Sequence, residues 1–296
     1  MSFSQRVQLA VGHAQFRALR FMLMNAAGVS AGSVTVDGVT MPYLSRGTGP
    51  AVFLVHGFGA DKENWLMMSL ALSRRYRVVM MDLPGFGAAG DVPSAHGTAK
   101  AQAASLAGFA DQLGYHRFHL AGNSMGGGII QRFCADYPER VRSLALLCSV
   151  GPEAEPSEVR LALDAGEPHP LIPQSLDDGD AFLDLVMEKR PTVPRALQLY
   201  VMSQSIARRH RHEHMWQGWE HGPAADGIPE DLSAVKAPTM VVHGDCDRVI
   251  HPSVGAALAD QLPDAHLVAL EGVGHVPQVE IPNRTARLLN DFWSQI

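Results

Sequence analysis

Apolar residues in this chain fall into short solid runs separated by stretches of helical spacing. The segments 51–55, 77–81, 117–121, 143–148, 239–243 and 266–270 are dominated by apolar residues without regular alternation. That pattern is expected of strands buried on both faces of a sheet. Between them, 61–72, 97–113, 129–137, 253–262 and 282–294 carry helical periodicity, with Asp61 placed to cap the first. Ahead of the first solid run, 33–37 and 42–46 read as two short strands joined by Asp37-Gly38, a pair suited to a tight hairpin. Strands alternating with helices predict an α/β fold with a mostly parallel central sheet covered by helices on both faces.

The alternation breaks at Gly151-Pro152 and resumes after about Leu232. The stretch between is rich in Pro, His, Met and charge, and Pro156, Pro168, Pro170, Pro173, Pro191 and Pro194 punctuate short helices. The expected organisation is an N-terminal helical segment over 1–30, a core over 31–150 and 233–296, and a helical cap inserted over 151–232. An insertion at that point lies above the carboxyl ends of the strands, where open α/β sheets bind ligands. Met187, Met202, Trp216 and Trp219 in the insertion suit either a lid over an apolar ligand or the insertion's own small core. Trp65 reads as helix packing or as a pocket wall.

The chemistry centres on Gly122-Asn123-Ser124-Met125-Gly126, between a strand and a helix. A turn that sharp forces its central residue into a strained backbone, and glycines on either side remove the clashes. Ser124 then stands at the N-terminus of a helix, whose amides favour a developing negative charge. This is the nucleophile-elbow arrangement; a Gly-rich turn that binds phosphate is the competing reading. A serine hydroxyl needs a histidine to take its proton and a carboxylate to orient that histidine. Two aspartates compete for the acid in His243-Gly244-Asp245-Cys246-Asp247, and the two residues between Gly244 and Asp247 favour Asp247. The base candidate is His275, in the glycine-containing loop after the last strand, completing the order Ser, Asp, His. The backbone amides of Phe58 and Met125 are the candidate oxyanion donors, so no particular side chain is demanded there. No metal or organic cofactor is required by this chemistry.

Composition narrows the field. The chain has 296 residues, 46% hydrophobic and 18% charged, which suits a globular core rather than disorder. A net charge of −6 gives no reason to expect nucleic acid as a partner. Three cysteines, at 134, 148 and 246, are too few for a disulfide framework and read as free thiols, compatible with a cytoplasmic location. The run Arg208-Arg209-His210-Arg211-His212-Glu213-His214, with His221 nearby, invites a metal-site reading. Its i, i+2 spacing scatters the histidines around a helix, so a solvated surface is expected instead. No apolar run reaches the length of a membrane span. Arg6, Arg17 and Arg20 are the only charged side chains before Asp37. With Val7, Leu9, Val11, Phe16 and 21–24 between and after them, they allow a basic helix resting peripherally on lipid or a helix packed on the protein's own surface. A signal peptide is disfavoured by the short apolar core.

The segments from His56-Gly57-Phe58-Gly59 to Trp65, Asp82-Leu83-Pro84-Gly85-Phe86-Gly87 and Gly122-Asn123-Ser124-Met125-Gly126-Gly127 together resemble the α/β-hydrolase superfamily, from about Val34 to Ile296. The first of these, with Pro170-Leu171-Ile172-Pro173 and 190–194, resembles bacterial family V lipases and related monoacylglycerol lipases. The resemblance implies a Ser124–Asp247–His275 triad, an oxyanion hole from Phe58 and Met125, a helical cap, and small-molecule ester or lipid substrates. The elbow sequence also occurs in meta-cleavage hydrolases, which break carbon–carbon bonds in dienoic acids. Those usually carry a tryptophan after the catalytic histidine and a Ser-Gly-Pro-Gly type oxyanion turn. Here Val276 and Phe58-Gly59-Ala60 stand in those places, which favours ester cleavage. A non-enzymatic small-molecule receptor on the same fold is the most distant alternative.

Overall fold

The computed structural model describes residues 3–26, 28–152, 155–221, 227–229 and 231–296, with only the backbone described at Ala26 and His221. The chain opens with helix α1 (Phe3–Ala26) and an antiparallel hairpin, β1 (Ser30–Val36) and β2 (Val39–Arg46). Asp37 and Gly38 turn the hairpin with φ of 47° and 81°, the left-handed pair such a tight connection needs. Then follow β3 (Ala51–Val55), α2 (Leu66–Leu72), β4 (Arg77–Met81), α3 (Ala99–Gln112), β5 (Phe118–Asn123), α4 (Met125–Asp136) and β6 (Val141–Leu147). Among the described residues, four α-helices, α5 (Glu158–Asp164), α6 (Gly179–Val186), α7 (Arg195–Ala207) and α8 (Arg209–His221), separate β6 from β7 (Thr239–Gly244). The chain closes with α9 (Pro252–Gln261), β8 (Ala265–Leu270), α10 (Pro277–Glu280) and α11 (Pro282–Trp293).

The sheet order is β1-β2-β4-β3-β5-β6-β7-β8, parallel from β4 to β8 and antiparallel at the β1 and β2 edge. The solid apolar runs are explained by helices on both faces. Phe53 packs with Phe109, Phe118, Ile130 and Phe133 on one side, while Leu54 packs with Trp65, Met68, Leu289 and Trp293 on the other. Edge strand β8 is the exception: only Leu270 is fully buried.

Two boundaries differ from the sequence pattern for a physical reason. Helix α4 starts at Met125, four residues before its apolar periodicity begins. Glycines 126–128 are poor helix formers in isolation. Here tertiary contact overrides propensity: a Cβ on Gly126 would lie 2.3 Å from the Val55 carbonyl oxygen, and one on Gly127 would lie 2.1 Å from Ser149 Oγ. The stretch expected as one helix over 61–72 splits into a short 3₁₀ turn at Lys62–Trp65 followed by α2, with the Asp61 side chain capping the turn.

Helix α1 has two different faces. Gly12 meets α7 so closely that a Cβ there would lie 2.0 Å from Ala196 O. His13 stacks on Tyr200 with centroids 5.0 Å apart, Phe16 follows at 5.4 Å, and Arg20 Nε reaches Glu63 Oε1 at 2.6 Å. The opposite face leaves Phe3, Val7, Val11, Leu19, Phe21 and Met22 exposed. Among the described residues no helix is long and apolar enough to cross a membrane.

Candidate active site

Ser124 sits between β5 and α4 at φ 55° and ψ −121°, a positive φ that an L-residue holds only under constraint. The constraint is visible on both sides. A Cβ on Gly122 would lie 2.4 Å from Gly126 O, so the turn closes only with glycine at these positions. Ser124 N–H donates to Leu147 O at 3.0 Å, anchoring the elbow to β6.

His275 Nδ1–H donates to Asp247 Oδ2 at 2.8 Å, and both side chains are almost wholly buried. The other oxygen, Asp247 Oδ1, accepts from Val249 N–H at 2.8 Å and Ile250 N–H at 3.0 Å. Burial by itself would favour the protonated acid. His275 and a hydrogen bond from His243 outweigh it, holding Asp247 well below the usual carboxylate range. Asp245 is exposed and accepts from Gly272 N–H at 2.7 Å, so it ties two loops together rather than meeting His275.

Two residues to which the sequence pattern assigned no role join these parts. Asn123 Nδ2 donates to His275 O at 3.0 Å, and Gln278 Nε2 donates to Asn123 Oδ1 at 3.0 Å. The residue before Ser124 thus fixes the backbone of the histidine loop. From the insertion side, Val186 O accepts from His275 N–H at 3.1 Å. Glu280 gathers the N–H groups of Gly274, Glu188 and Lys189 at 2.9, 3.1 and 3.0 Å.

Met125 is the first residue of α4, so its N–H has no acceptor within the helix. Phe58 lies in the turn after β3, where a Cβ on Gly57 would stand 3.1 Å from Ser124 Cβ. The turn is braced from behind. Buried Lys62 Nζ pairs with Asp82 Oδ2 at 2.6 Å, and Asp82 also accepts from Lys62 N–H and Ala88 N–H. His56 Nδ1–H donates to Gly57 O at 2.8 Å, while its Nε2 accepts from Leu83 N–H at 3.1 Å. The ring of Phe58 is packed by Phe86, His169, His212 and Trp216, with centroids 5.6 to 5.8 Å away.

A pocket of about 80 Å³ opens over Ser124, lined by Phe58, Met125, Trp216, Trp219, Val249 and Ile250, with Val150, Val159 and Leu171 completing the wall. Trp216 and Trp219 therefore line the space over Ser124. Trp65 is fully buried in the core against Met68 and Leu289, Met202 packs near Gly179, and Met187 joins Val159 and Val249 in a small cluster. None of these three reaches the pocket wall. Leu171 belongs to the Pro170–Pro173 segment noted in the sequence, whereas Val159, Val249 and Ile250 carry no signal that distinguishes them from ordinary core residues.

The basic, histidine-rich run forms the start of α8. His210 and His214 are exposed as expected of a solvated face. His212 is the correction: it is 1% exposed and stacks near Phe58 and Phe86. The i, i+2 spacing that sets these histidines on different faces of the helix also turns one of them inward. The side chain of His221 lies outside the described residues. Cys134 and Cys148 are buried and Cys246 is partly so, all as free thiols. Cys148 has its sulfur within 4.8 Å of ligand atoms on Asp247 and His275. Burial, then the charge of Asp247, pushes its thiol well above the ordinary range, so beside that carboxylate it stands as the neutral thiol.

The profile of the "Alpha/beta hydrolase family" matches residues 52–288. Lipase 1 of Psychrobacter immobilis is 30% identical over 269 residues, covering 88% of this chain and 83% of that protein. Monoacylglycerol lipase abhd6-B of Xenopus laevis is 26% identical over 266 residues, covering 86% and 79%. Among solved structures, a membrane phospholipase A described as a novel bacterial virulence factor superposes with a TM-score of 0.91 at 36% identity, covering 96% of this chain and 92% of that one. Elbow, sheet order and these likenesses agree: the chain belongs to the alpha/beta hydrolase family.

Proposed function

We propose that this protein is a serine hydrolase of carboxylic esters, of the lipase and esterase kind, with Ser124 as nucleophile, His275 as base and Asp247 as the acid that orients it. The observation that carries the reading is the buried 2.8 Å bond from His275 to Asp247 beside a serine held at positive φ. In this mechanism His275 Nε2 takes the hydroxyl proton as Ser124 Oγ attacks the ester carbonyl. Phe58 N–H and Met125 N–H receive the oxyanion. His275 then protonates the leaving alcohol, and water repeats the sequence on the acyl-enzyme to release the acid.

The pocket supports esters over the acidic dienoates of carbon–carbon hydrolases. Apart from Ser124 and the indole N–H groups, its described lining is apolar, with no cation to pair a substrate carboxylate. The same lining suits an acyl chain, and the helices between β6 and β7 act as its cap. The relatives' names, which cite lipase, monoacylglycerol lipase and phospholipase A, point to acylglycerol or phospholipid-type esters. The exposed apolar stripe of α1, whose charged side chains are all arginines, supports peripheral contact with an anionic lipid surface.

The test is an initial-rate series on p-nitrophenyl and monoacylglycerol esters from two to sixteen carbons. A rate that rises at medium or long chains and vanishes in Ser124→Ala supports the lipase reading. A maximum at the shortest chains makes it a small-ester esterase, and turnover retained in folded Ser124→Ala overturns the nucleophile.

A further inference from the structure

The acid of the proposed triad serves two histidines. His243, the penultimate residue of β7, places Nε2 3.2 Å from Asp247 Oδ2 and 3.0 Å from Ile250 O. A carbonyl oxygen only accepts, so Nε2 carries the hydrogen and shares it between the carbonyl and the carboxylate. The opposite nitrogen, Nδ1, is buried with no hydrogen-bond partner among the described residues. It faces α9 at Gly255, where a Cβ would lie 2.7 Å from Nδ1. The ring is 2% exposed and is held by its one useful edge.

We propose that His243 is a positioning residue for the acid, an assignment that rests on the Ser124–His275–Asp247 reading. Asp247 Oδ1 is already fixed by the amides of Val249 and Ile250, which leaves the carboxylate free to swing Oδ2 out of line. The His243 N–H closes that freedom. Because it also holds Ile250 O, it ties both ends of the 247–250 turn to the end of β7. It has a second effect. A donor on Oδ2 draws off part of the charge that His275 Nδ1–H meets, so the carboxylate binds the protonated imidazole less strongly than it otherwise would. The Cys148 thiol also lies against Asp247 and stays protonated there. A packing residue at position 243 would need neither the ring nitrogen nor its direction.

Glutamine and asparagine separate these possibilities. A glutamine amide nitrogen reaches the place of Nε2, whereas an asparagine amide stops near Nδ1. With a p-nitrophenyl ester, His243→Gln is expected to stay within about twofold of the wild-type kcat, and His243→Asn to lose about tenfold with KM little changed. The acidic limb of the kcat/KM profile should move to higher pH in His243→Asn, because the freed carboxylate holds the His275 proton more firmly. In an Asp247→Asn background, His243→Asn should add no further loss. Equal rates and equal acidic limbs in His243→Gln and His243→Asn would overturn the role, whether both are normal or both impaired. A normal rate in Asp247→Asn itself would overturn the triad and this role with it. A crippled Asp247→Asn beside a normal His243→Asn would remove only the role of His243.

Discussion

The ring of His212, on α8, lies 5.8 Å from that of Phe58, in the loop whose amide is a candidate oxyanion donor. His169 stacks on the same phenyl ring at 5.6 Å. Two histidines from the region between β6 and β7 therefore pack a residue of the proposed oxyanion turn. Burial holds both at pKa values of about 4, with Arg208 and Arg211 adding to the effect on His212. His119, buried on β5, is likewise at about 4.

These values fix a pH dependence. A histidine whose folded pKa lies below its unfolded value of about 6.5 takes up its proton first in the unfolded state. Its contribution is whole above about pH 6.5 and is lost as pH falls toward 4, by up to about 1.4 kcal/mol per pH unit for each histidine. The melting temperature should therefore decline between pH 6.5 and 5, before most carboxylates titrate. His212→Phe should flatten the decline. Calorimetric scans across that window check it, and an unchanged slope in the variant would refute the assignment to His212.

Asp247 and Asp245 should separate sharply on substitution. Asp247→Asn is expected to lower kcat by about 10³ to 10⁴, by leaving His275 in the wrong tautomer. Asp245→Asn loses only the charge on one exposed bond to Gly272 N–H, so its rate should stay within a few-fold. Steady-state kinetics on a short soluble ester decide this, and comparable losses in both would contradict the role given to Asp247.

The exposed face of α1 makes a prediction of its own. Replacing Phe21 and Met22 by Glu removes two exposed apolar side chains and adds two negative charges. Flotation with phosphatidylglycerol vesicles should then show binding reduced by at least about tenfold. Wild-type binding should weaken in high salt, as screening of Arg6 and Arg17 requires. Hydrolysis of a soluble ester should not change. Equal flotation of both proteins would leave α1 as a purely structural helix.

What could be read from the sequence was what is local or steric. Gly122 and Gly126 announced the elbow because only glycine fits beside Ser124, and the choice of Asp247 over Asp245 followed from the length of a short turn. The alternation of strands and helices was legible because a doubly covered sheet demands solid apolar runs. The pocket wall was legible only in part, at Phe58, Met125, Trp216 and Trp219. Val159, Leu171 and Val249 come together from distant segments, and nothing in an isolated valine marks which cavity it faces. His212 was hidden among charges because its inward turn depends on where α8 meets Phe86. The triple link from Ser124 through Asn123 to Gln278 spans 155 residues at its longer step, beyond any local pattern.

Gly12, Gly97 and Gly218 are among the glycines through which the region between β6 and β7 meets the rest of the molecule. Gly12 lets α1 touch the backbone of α7, while Gly97 and Gly218 bring α8 against the loop at 94–97. A Cβ on Gly218 would lie 1.8 Å from Ser94 O, and one on Gly97 would lie 2.4 Å from Met215 O. Contacts this close are not interchangeable parts. A chimaera that transplanted 151–232 onto a related core would carry Gly218 but leave Gly12 and Gly97 behind. Specificity could be moved between relatives only by exchanging all three surfaces together.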